Sequence, residues 1–122
     1  MTRRRVVVTG LGAVCPVGNT VSEAWTNLLA GRSGIGPVTR FNVSQYACRI
    51  AGEVKGFDVT QYMQAKEARH MDTFIHYGIA AGIQAWQDCG LTFTEANAER
   101  IGVNVGSGIG GLPMIEIGRA HV

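Results

Sequence analysis

The sequence is poor in everything that marks a disulfide scaffold or a membrane span. It holds only three cysteines and three prolines in 122 residues. Cys15, Cys48 and Cys89 are odd in number and widely spaced, which excludes both a disulfide framework and a Cys-x-x-Cys metal site. Each is read as a reduced thiol of a cytoplasmic protein, buried and packing as a small hydrophobe. Charge is sparse as well, at 16% of residues and a net +2. That balance is too mild to imply nucleic acid, and Arg3, Arg4 and Arg5 form one short cluster. No apolar run reaches bilayer length, and Val6 to Val8 is far too short for the apolar region of a signal peptide. What the chain does have is 46% hydrophobic residues and 17 glycines, the composition of a globular protein able to bury one modest core.

A third glycine is missing where it matters. The stretch "VVVTGLGAVCPVGN" opens like a dinucleotide cradle, a β-branched run breaking into Gly10 and Gly12. Cys15 stands at the third glycine position, and Pro16 after it has no N–H and a fixed φ. The next helix-start signals, Asn19-Thr20 and Ser22, come too late to aim amides at a phosphate held by those glycines. The acid that would hold a ribose is absent from "AGRSGIGPV". A buried strand ending in a tight turn fits better than a nucleotide-binding module, which remains the alternative from a different class.

Three consecutive valines predict an interior strand over Arg5 to Leu11, covered on both faces as in parallel sheets. Ser22 to Ala30 reads as a helix, with Trp25, Leu28 and Leu29 at helical spacing and Gly31 as its stop. Arg32 to Tyr62 is weakly patterned and glycine-rich, a surface excursion with one possible strand at Arg49 to Val54. A long helix is predicted from Lys66 to Asp88, where Met71, Phe74, Ile75, Ile79, Ile83 and Trp86 recur at three- and four-residue steps. Among them Gly78, Ala81, Gly82 and Ala85 call for another backbone packed very close, because interior glycine costs about 1 kcal/mol relative to alanine. Gly90 caps this helix, "LTFTEANAER" holds a short helical turn, Ile101 to Val105 is a second buried strand, and Gly106 to Gly111 is a glycine loop. The order is that of an α/β fold with parallel strands, which binds ligands at the carboxyl ends of its strands.

Three separated blocks carry a resemblance. "RRVVVTGLGAVCPVGNTVSEAWTNLLAGRSGI", "KEARHMDTFIHYGIAAGIQAWQDCGL" and "RIGVNVGSGIGGL" resemble, in order and spacing, the N-terminal part of the type II elongating β-ketoacyl-[acyl-carrier-protein] synthases. The resemblance implies a thiolase-like fold of two similar halves, a homodimer, and fatty-acid chain extension by decarboxylative condensation of malonyl- and acyl-carrier protein. It implies no cofactor and no metal. The cysteine nucleophile and two histidines of that chemistry fall outside residues 1–122, so no catalytic residue is named, and Cys15, Cys48, Cys89 and His76 match no catalytic position. A catalytically silent partner subunit, such as a chain-length factor, is the alternative within the fold.

Two supporting roles follow from the resemblance. Ile109 matches the isoleucine that gates the acyl pocket, with Gly108 and Gly110 beside it restricting the backbone least. Lys66 and Arg69 match positions that dock the acidic acyl carrier protein, and His70 stands where a lysine is common. At steps of three and four these share a helical face that would steer encounter. The expected division is a partial synthase domain over 1–116 and a non-native tail, "IGRAHV", over 117–122, whose codons can match a sequencing-library adapter read in frame. Such a partial domain leaves the small-residue face around Gly78 and Gly82 uncovered.

Overall fold

The computed structural model describes residues 3–120. Its elements are helix α1 (Val21–Leu29), strands β1 (Ile35–Pro37) and β2 (Ile50–Gly52), a one-turn helix α2 (Ala65–Ala68), the long helix α3 (Thr73–Cys89) and α4 (Leu112–Ala120). Short 3₁₀ turns occupy Val59–Gln61 and Ala98–Arg100, the second in the polar stretch where a helical turn is predicted.

The predicted helix from Lys66 to Asp88 is two helices. The end of α2 tightens into i→i+3 bonds, His70 N–H to Glu67 C=O at 3.0 Å and Met71 N–H to Ala68 C=O at 3.2 Å. The chain then extends at Asp72 (φ −71°, ψ 157°), and the Asp72 carboxylate caps a fresh start by accepting from the Thr73 amide at 2.6 Å. Local capping therefore outcompetes the apolar periodicity. His76 joins the two pieces, its Nε2–H donating to the Ala68 carbonyl at 2.8 Å. Gly90 ends α3 in the left-handed region at φ 65°, as its position predicts.

The small residues of α3 do receive a backbone, on one side only. A Cβ on Gly12 would overlap the Ala81 carbonyl oxygen and lie 2.8 Å from the Ala85 nitrogen; one on Gly10 would lie 2.7 Å from Cys89 Cβ. The opening segment thus lies flat on the Ala81, Ala85 and Cys89 face of α3. Gly78 and Gly82 face elsewhere, Gly78 toward a Val105 methyl at 3.7 Å and Gly82 toward open space. Two backbone bonds between Cys15 and Gly18, at 2.9 and 3.1 Å, then turn the chain. Thr20 caps α1 by accepting from Glu23 N–H at 3.2 Å, while the Glu23 carboxylate reaches back to Asn19 N–H at 2.8 Å.

The excursion is better ordered than its sequence suggests. β1 and β2 pair antiparallel, Ile35 opposite Gly52 and Pro37 opposite Ile50, which places a strand inside the predicted Arg49 to Val54. Pro16 packs into the space left by Gly34 and Gly52. Lys55 Nζ ties the turn to the hairpin by donating to the carbonyls of Pro16, Gly34 and Glu53 at 3.4, 3.0 and 2.8 Å. Against α3 lies an aromatic row: Phe57 stacks on Tyr62 at 5.9 Å and meets Tyr77 edge-on at 5.1 Å.

Two predicted strands are corrected. Arg5 to Leu11 and Ile101 to Val105 join no ladder among the described residues, where the sheet is β1 with β2 alone. Val6 is 94% and Val103 89% exposed. A strand buried on both faces exists only when neighbours take its N–H and C=O groups and layers cover its side chains. Among the described residues no strand pairs with either segment, and the contacts they do make, Leu11 N–H to Asp88, Gly10 against α3 and Val105 against Gly78, leave most of their side chains open. Many large side chains are correspondingly open, and among the described residues the buried hydrophobic ones are Ala24, Ala68 and Ala80. Ile117 to Ala120, assigned from sequence to a tail, lie within α4, and His121 and Val122 lie outside the described residues. Cys48 is exposed and Cys15 and Cys89 are half-buried, so the expected burial of the thiols is corrected as well.

Candidate functional site

The amide groups that follow the opening glycines are used internally. Leu11 N–H donates to Asp88 Oδ2 at 2.8 Å and Ala13 N–H to Gln84 Oε1 at 3.1 Å. A carboxylate and a side-chain amide of the chain itself thus occupy the donors beside these glycines, and Gly10 and Gly12 serve helix contact. Gln84 is a hub: its Nε2 also donates to the Asn19 carbonyl at 2.8 Å and to the Tyr62 hydroxyl at 2.9 Å.

Across α3, an apolar groove of about 930 Å³ runs between the helix and residues 102–107, floored by Gly78 and Gly82 and walled by Phe74, Ile79, Trp86 and Val105. The glycine loop continues from its end. Ile109 stands 77% exposed at the tip, and Gly108 has open space where a Cβ would be. Gly110 adopts φ 76°, a conformation that suits glycine, with the Phe74 ring 2.9 Å from the place of a Cβ. At Gly111 the same place is taken by Asp72 Oδ2, which also accepts from Met114 N–H at 3.3 Å. One carboxylate thereby holds the first turns of both α3 and α4.

Lys66, Arg69 and His70 are exposed, Lys66 within α2, Arg69 at its C-cap and His70 just beyond. They sit on and just after a single helical turn rather than on a long helix, with Met71 between His70 and the residue that holds the glycine loop. Displaced acidities lie elsewhere, on the excursion. The Thr39 hydroxyl and amide hold Glu53 below the usual carboxylate range, those of Thr60 do the same for Asp58, and the Tyr77 hydroxyl raises Arg40. Among the described residues no group of three or more His, Cys, Asp or Glu stands together as a metal site, and no helix is long and apolar enough to cross a membrane.

Sequence reasoning missed Asp72 and Gln84. Asp72 before an apolar periodic run carried an N-cap signal, and Gln84 shares a helical stripe with Gln87 and Asp88, the polar residues three and four positions on.

The chain belongs to the β-ketoacyl synthase family: the description "Beta-ketoacyl synthase, N-terminal domain" matches residues 3–120, which take in α3, the glycine loop and the opening turn. With the family goes the thiolase-like α/β fold class. The particular relatives are consistent. The chain is 60% identical over 118 residues to 3-oxoacyl-[acyl-carrier-protein] synthase 2 of Vibrio cholerae serotype O1, covering 97% of this chain and 28% of the relative. It is 53% identical over 116 residues to the protein of the same name from Synechocystis sp., covering 95% and 28%. Among solved structures, the ishigamide ketosynthase/chain length factor matches with a TM-score of 0.67 at 37% identity, over 75% of this chain and 23% of that one. The chain therefore spans little more than a quarter of the length of the curated relatives it matches.

Proposed function

We propose that this chain contributes the N-terminal portion of a 3-oxoacyl-[acyl-carrier-protein] synthase, which extends an acyl chain by two carbons through decarboxylative condensation with malonyl-carrier protein. The observation that carries this is the 60% identity to a synthase of that name across 97% of the chain. In this chemistry a cysteine thiolate accepts the acyl group and two histidines stabilise the enolate released by decarboxylation. By the resemblance, Cys15, Cys48, Cys89 and His76 match none of that trio, so residues 1–122 alone are expected to give no condensation. The match to a ketosynthase/chain length factor keeps a second reading open, a silent partner subunit that shapes the pocket without catalysis. The test is the protein sequence that accompanies this domain and its condensation activity. A cysteine and two histidines with turnover support the synthase; their absence with no turnover supports the partner subunit.

In the complete protein, Ile109 acts as the gate of the acyl pocket and Gly108 and Gly110 give it room to swing. Its exposure at the loop tip, with open space at Gly108, supports this role. Ile109→Phe therefore shortens the accepted acyl chain, lowering kcat/KM for long acyl groups against short ones by about tenfold, since one bulkier side chain in an apolar pocket discriminates on that scale. A chain-length profile identical to wild type removes the assignment.

The exposed Lys66, Arg69 and His70 dock the acidic acyl carrier protein. Long-range attraction of this kind raises the encounter rate more than the affinity. Lys66→Glu combined with Arg69→Glu slows association by about tenfold at low salt, and the difference from wild type shrinks as salt screens the charges. Association kinetics measured across a salt series check it, and insensitivity to the reversal rules the patch out.

A further inference from the structure

We propose that Asp72 is a positioning residue for the loop that carries Ile109, setting the arc through which that side chain moves; the proposal rests on the acyl-gate reading of Ile109. The Asp72 carboxylate has two separate attachments. Oδ1 accepts from Thr73 N–H at 2.6 Å and so begins α3, while Oδ2 accepts from Met114 N–H at 3.3 Å in the first turn of α4. The second oxygen also fills the place of a side chain at Gly111. The downstream end of the loop is thus fixed against α3 twice, by Asp72 at Gly111 and by the Phe74 ring beneath Gly110. Its tip is free, with Ile109 exposed and nothing around the Cβ place of Gly108. A loop with a free tip and one anchored end pivots at the anchor, so where Asp72 holds Gly111 decides where Ile109 can go. A helix cap alone would need only the first oxygen.

Serine separates the two duties, because its hydroxyl caps α3 as well as a carboxylate does but is too short to reach Met114 as well. In the complete synthase, the kcat/KM ratio for octanoyl- against palmitoyl-carrier protein is measured for wild type, Asp72→Ser, Ile109→Phe, Ile109→Gly and the Asp72→Ser, Ile109→Gly pair. The expected result is a shift of about threefold or more in Asp72→Ser that vanishes in the Ile109→Gly background, the non-additivity of residues acting through one another. Hydrogen exchange of the Met114 amide accelerates in Asp72→Ser alongside. A wild-type ratio in Asp72→Ser while Ile109→Phe alters it overturns the positioning role and leaves the gate standing. The same shift with and without the Ile109 side chain, or an unchanged Met114 exchange rate, also overturns it. An unaltered ratio in Ile109→Phe removes the gate reading and this proposal with it. Should Asp72→Ser fail to fold, Asp72→Asn, which keeps one acceptor, is put through the same comparisons.

Discussion

Gly12→Ala lowers stability by about 3–5 kcal/mol, a drop read by chemical or thermal unfolding beside the unsubstituted protein. The added methyl would coincide with the Ala81 carbonyl oxygen, and neither partner can step aside as a flexible side chain would. Ala81 is held in the middle of α3, so the opening segment has to lift away. Lifting it breaks the bonds from Leu11 N–H to Asp88 and from Ala13 N–H to Gln84. The cost is overpacking plus two lost hydrogen bonds. Gly36→Ala is the control: no atom lies within 4 Å of its Cβ place, and its stability stays within about 0.5 kcal/mol of wild type. Equal effects at the two glycines would show that close approach to α3 is not what Gly12 provides.

Gln84→Leu has the second large effect, a loss of about 3 kcal/mol at nearly constant volume. The side-chain amide gives one acceptor to Ala13 N–H and donors to the Asn19 carbonyl and the Tyr62 hydroxyl, joining the opening segment, the entry to α1 and the excursion to α3. Leucine fills the space and leaves three partners unsatisfied, each worth about 1 kcal/mol. Tyr62→Phe removes only one of these bonds and lowers stability by about 1 kcal/mol. Unfolding measurements on both variants check the ratio; a Gln84→Leu loss no larger than that of Tyr62→Phe would refute the hub.

The helices were legible because capping chemistry and apolar spacing are local. Ser22 to Ala30 became Val21–Leu29, and Gly90 closes α3 where a glycine after an apolar run should. The break at Arg69 to Asp72 was hidden, since Met71 continues the helical spacing while the aspartate that restarts the helix acts through a single carboxylate. The two valine segments were legible as strands in pattern only. Pattern reports which faces are apolar, whereas a ladder needs neighbours whose position no local window contains. The expectation for Gly108, Ile109 and Gly110 came from the three matching blocks rather than from periodicity. Asp72 escaped because its reach to Met114 spans 42 positions of sequence. The apparent nucleotide motif resolves the same way: the glycines were real signals of close approach, and what approaches is a helix.

The valine segments also bear on the order in which such a protein is made. Val6 to Val8 leaves the ribosome long before Val103 and Val105, and all of them keep open edges in the described structure. An unpaired apolar edge is a template for any other strand, including one on a neighbouring nascent chain. Productive folding then depends on how soon its proper neighbours arrive relative to such encounters. Slower synthesis or crowded polysomes should favour inclusion bodies, and chaperone binding to the opening residues should counter them, with no change in any contact of the finished fold.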